Sequence, residues 1–70
     1  MKFNMIPKHR LEEIKGEEVR VYIKDLPEAY CVQLGKIQSV GEHIIIFKDI
    51  KHNSIMYIPI DSIALIKKEE

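Results

Sequence analysis

Few side chains in this chain are equipped for chemistry. His9, His43, His52 and Cys31 are its soft metal ligands. They lie far apart, and no pair shows the short spacing with which Cys and His hold zinc. Histidines so placed are expected at exposed positions, one on a helix and two in turns. Cys31 sits in an apolar stretch and reads as a small core residue, with no sequence neighbour suited to activate it as a nucleophile. Ser54 and Ser62 lie in no nucleophile elbow. Glu12, Glu13, Glu17 and Glu18 surround a short helix and precede a strand, where carboxylates keep a surface solvated. These residues point to no catalytic centre, metal site or cofactor, and an enzyme is not expected.

Binding is the chemistry that remains. In EEVRVYIKD, Val19, Val21 and Ile23 alternate with Arg20, Tyr22 and Lys24, the pattern of a strand with one buried face. The outward Arg-Tyr-Lys stripe has the composition of an RNA or partner surface, because aromatic rings stack on bases while cations meet phosphates. The plainer reading is a solvated strand face. Lys67 and Lys68 form a small basic end, offset by Glu69 and Glu70. Eleven basic and eleven acidic side chains cancel, whereas dedicated nucleic-acid binders are usually strongly basic. A ring could still gather charge on one face. The single cysteine excludes an intrachain disulfide. No apolar run is long enough for a signal peptide or a membrane span, so a cytoplasmic protein without membrane contact is expected.

The elements that must position these residues are short. Seventy residues, thirteen of them Ile and none Trp, fit one domain, 1–70, that leans towards strands because β-branched side chains are restricted in a helix. A helix is expected over about 4–15, capped by Asn4, with Pro7 in its first turn, Ile6, Leu11 and Ile14 on one face, and Gly16 as its stop. Strands follow over about 17–66. The second, YCVQLGKIQSV, changes phase at Gly35, the signature of a bend or bulge. The third, with four consecutive apolar residues from Ile44 to Phe47, is expected to be covered on both faces. SIMYI and SIALI supply the fourth and fifth, separated by a turn at Pro59-Ile60-Asp61, where proline lacks the N–H of an ordinary ladder. The outline is an all-β, strongly bent, five-stranded antiparallel SH3-like barrel with a short N-terminal helix.

In this setting GKIQSVGEHIIIFKD, Gly35 to Asp49, resembles the first motif of the Sm-like superfamily, which includes bacterial Hfq. IPIDSIALI, Ile58 to Ile66, resembles the second: Ile58, Asp61, Ser62 and Ile63 match, while Pro59-Ile60 stands where that motif has Arg-Gly. The helix running straight into EEVRVYI is similar to the start of Hfq. The resemblance implies a homo-oligomeric ring, hexamer or heptamer, in which the fourth strand of one subunit pairs with the fifth of the next. Ile55, Tyr57, Ile63 and Leu65 would then serve the core or the inter-subunit contact. It also implies single-stranded RNA as a partner; the residues of this chain expected to contact it are Arg20, Tyr22, Lys24, Lys36, His43 and Lys48. The family's usual RNA positions are altered. Gly41 takes an acidic position, Glu42-His43 takes that of an RNA-contacting pair, and Tyr57-Ile58-Pro59 replaces the Tyr-Lys-His of the Hfq pore. The alternative is a protein-interaction or assembly module on the same barrel that has lost RNA binding.

Overall fold

The computed structural model describes residues 6–69. Helix α1 spans Lys8–Glu13, and the strands are β1 (Glu18–Ile23), β2 (Val32–Val40), β3 (Ile44–Asp49), β4 (Ser54–Pro59) and β5 (Ile63–Lys68). A 3-10 turn, Ile60–Ser62, joins β4 to β5. The helix is shorter than expected. Pro7, extended at ψ 145°, holds the N-cap position and leaves no room for the turn before it, and Asn4 lies outside the described residues. Gly16, at φ +86°, takes the left-handed conformation that turns the chain out of the helix. Its N–H then donates to the Ile37 carbonyl at 2.9 Å.

The strands form one antiparallel sheet in the order β4-β3-β2-β1-β5, which leaves β4 and β5 as its edges. Leu11, Val19, Val21, Ile37, Ile45, Phe47, Ile58, Ile60 and Ile63 make a single buried cluster. Ile58 comes from one edge strand and Ile63 from the other, so the sheet curls until its two ends share a core. The 3-10 turn fixes that curl: Ile60 N–H donates to the His43 carbonyl at 2.8 Å, and Lys24 N–H donates to Ser62 at 2.7 Å. Proline thus ends β4 where its missing donor costs the ladder least.

Three expectations fail. The irregularity of β2 lies between Ile37 and Ser39, not at Gly35. Gly35 sits inward in register with Val19 and Asp49, and a Cβ there would overlap the Lys48 carbonyl and lie 3.0 Å from the Phe47 ring. The glycine answers to close strand approach, and Val32 and Leu34 consequently face outward. The third strand is covered on one face only: Ile45 and Phe47 are fully buried, while Ile44 is exposed and Ile46 half-buried. Cys31 precedes β2, half-buried and outside the core cluster, its thiol donating to the Glu28 carbonyl at 3.5 Å.

Candidate nucleic-acid interface

Residues opposite one another in an antiparallel ladder point to the same side of the sheet. Lys36 stands opposite Lys48, and Arg20 opposite Lys67. Both pairs lie on the outward side, away from Val19, Val21, Ile37 and Phe47. Arg20 also faces Leu34, two residues from Lys36 on β2, so the four cations run diagonally across β5, β1, β2 and β3. Like charges directly opposite repel, and a sheet that carries two such pairs concentrates positive potential the neutral composition conceals.

Two carboxylates moderate it. Glu18 stands opposite Lys36, and Glu69 binds Arg20 at 2.8 Å. Among the described residues, Lys36, Lys48 and Lys67 have no ion-pair partner. Next to the cations runs an outward row of Leu65, Tyr22 and Val32, joined through Tyr22.

The structure therefore brings Arg20, Tyr22, Lys36 and Lys48 onto one face, and it separates Lys24 and His43 from them. Lys24 follows β1 at the corner held by the 3-10 turn, and His43 lies in the turn before β3. Lys67, read from sequence as part of a solvated end, is a strand residue, because β5 runs to Lys68. Lys68 points to the other side and pairs with Glu17 at 2.6 Å. Of the assembly candidates, Ile63 is 2% exposed and belongs to this chain's own core. Ile55, Tyr57 and Leu65 are 46%, 67% and 50% exposed on the edge strands.

Of the four carboxylates weighed for catalysis, three hold surface ion pairs: Glu12 with Lys15 at 3.4 Å, Glu13 with Arg10 at 3.1 Å and Glu17 with Lys68. His9, His43 and His52 are all exposed, on α1 and in two turns. Among the described residues no group of three His, Cys, Asp or Glu is placed to hold a metal. No described helix is long and apolar enough to cross a membrane.

Asp49 is the polar residue that sequence reasoning passed over. Almost fully buried, it ends β3 and caps the turn to β4. Its carboxylate accepts from Lys51 N–H at 3.1 Å and His52 N–H at 3.0 Å, and meets His52 Nδ1 at 3.0 Å. Burial pushes the carboxyl up, but these three bonds and the His52 charge outweigh it and hold its pKa below the ordinary 3.8. The signal was present in DIKHN: an aspartate ahead of a turn whose Asn53 adopts a left-handed φ of 57°.

Beside the β4 edge, an open apolar groove of about 470 Å³ lies between Ile23, Leu26 and Tyr30 on one side and Met56 and Tyr57 on the other. Comparison of the chain with protein-family models, curated proteins and solved structures finds no match.

Proposed function

We infer that the protein is a non-enzymatic Sm-like barrel that closes edge to edge into a ring, hexamer or heptamer, and binds single-stranded RNA. The observation that carries the reading is the pair of sheet edges. Both β4 and β5 are six residues long, both lack a partner on one side among the described residues, and both carry exposed apolar side chains: Ile55 and Tyr57 on one, Leu65 on the other. An unpaired edge is a template for another chain. Head-to-tail pairing of β4 on β5 satisfies both edges at once and closes if the rotation permits. A chain of this size buries only about 60–65% of its unfolded surface, so assembly adds apolar burial that the lone domain lacks. The unpaired Cys31 suits a reducing, cytoplasmic setting.

The outward cations supply the phosphate contacts that Pro59 and Ile58 cannot make. Binding of polyuridine and polyadenine at low salt tests the RNA part. Affinity that falls steeply with salt is expected, since phosphate contacts release counterions. Absence of binding to both at low salt overturns it and leaves the second reading, a protein-interaction or assembly module, which the apolar groove beside Tyr57 favours.

A further inference from the structure

We propose that single-stranded nucleic acid lies across the outward face of β5, β1, β2 and β3, on Lys67, Arg20, Lys36 and Lys48, and that Glu69 competes with it for Arg20. The inference rests on the RNA reading and gives it a location, away from the β4–β5 turn. In strands, opposed Cβ atoms are about 4.5–5.5 Å apart, so Lys36–Lys48 and Arg20–Lys67 set like-charged side chains side by side on neighbouring strands. Three of the four cations have no ion-pair partner among the described residues, and the fourth is held by Glu69, in the C-terminal segment beyond β5. A polyanion relieves both repulsions at once. Glu18, opposite Lys36, opposes it.

Nucleic acid is favoured over an acidic peptide by Tyr22. Its ring shares the outward side with Arg20, one row along, flanked by Leu65 and Val32. An aromatic and cations at strand spacing let one base stack while its neighbouring phosphates meet charge. Glu69 then acts as an intramolecular stand-in for a phosphate, withholding Arg20 from the ligand.

The test measures affinity of the full chain for a short oligouridylate between 50 and 200 mM salt. Each phosphate contact on a single strand contributes about 0.7 to the slope of log affinity against log salt. Three free lysines give a slope of about 2.1, roughly a 20-fold loss over that range. The double variant Lys36→Gln/Lys48→Gln should fall to a slope of about 0.7, roughly a 3-fold loss. Its melting temperature should not drop, because a repulsive pair has been removed. Glu69→Gln, which frees Arg20, should raise the slope to about 2.8. Tyr22→Ala should weaken oligouridylate roughly 10-fold and leave inorganic polyphosphate untouched.

Wild-type binding that the lysine double variant leaves unchanged overturns this face while the RNA reading stands. No wild-type binding overturns both. An unchanged slope in Glu69→Gln overturns the competition for Arg20. Polyphosphate of equal charge binding as tightly as oligouridylate, with Tyr22→Ala affecting neither, overturns nucleic acid as the ligand. Capture of an acidic peptide in preference to oligouridylate does the same.

Discussion

Gly35→Ala tests the packing of the sheet most sharply, because two effects predict opposite signs. Gly35 has no left-handed backbone angle, so alanine suffers no torsional strain there. If space were available, the substitution would stabilise by about 0.4–1 kcal/mol by restricting the unfolded chain. The structure leaves no space: the new Cβ would overlap the Lys48 carbonyl oxygen and lie 2.9 Å from its carbon. Bringing that carbon alone to the 3.4 Å of ordinary contact moves β3 from β2 by half an ångström, and the oxygen demands more. The neighbouring bond from Ile50 N–H to the Leu34 carbonyl is already 3.1 Å long, so such a shift takes it past useful length. Losing two ladder bonds costs about 1–3 kcal/mol, and disturbing Phe47 brings the total to roughly 2–4 kcal/mol. A 70-residue domain holds about 4–10 kcal/mol in all. Melting should therefore fall by roughly 10–30 °C, read by circular dichroism with urea unfolding alongside. A Gly35→Ala protein as stable as wild type, or more so, refutes the close approach of β2 and β3.

Three further substitutions probe other parts of the account. Asp49 has a lowered folded pKa, so the stability it contributes is present above 3.8 and lost as pH falls through that lower value. Asp49→Asn should be less stable near neutrality and should lose less on acidification from pH 5 to pH 2. Parallel acid melting curves for the two proteins would contradict the cap. Ile63→Ala, at a fully packed core position, should cost about 2–5 kcal/mol in urea unfolding; a change below about 0.5 kcal/mol, the range of surface substitutions, would contradict its burial. Leu65→Asp, half-exposed on the β5 edge, should leave the fold within about 0.5 kcal/mol and reduce the native mass to that of a monomer. An unchanged assembly would remove β5 from the interface.

Local pattern carried much of the fold. The alternation of Val19, Val21 and Ile23 and the interruption at Pro59 mark elements that the structure keeps. What escaped depends on contacts between strands. Four apolar residues in Ile44–Phe47 look alike along the chain, and only the sheet's curvature decides that Ile45 and Phe47 go inward while Ile44 and Ile46 face out. Gly35 announces a special backbone position but not its cause, which lies on Lys48 across the ladder. The candidate face was half legible. Arg20 and Tyr22 follow from alternation in one strand, whereas the opposition of Lys36 to Lys48 follows from hairpin register, and that of Arg20 to Lys67 from pairing between the first and last strands. No local period encodes either. Asp49 was missed, despite the turn signal in DIKHN, because two of its three partners are backbone N–H groups, which sequence does not display.

Edge-to-edge assembly is the central claim, and the native mass of the full chain tests it most directly. Light scattering at micromolar concentration, checked by native mass spectrometry, should give six or seven copies of the 8.2 kDa chain in one closed species whose mass does not grow with concentration. A monomer, or a mass that rises continuously with concentration as an open filament would give, contradicts it.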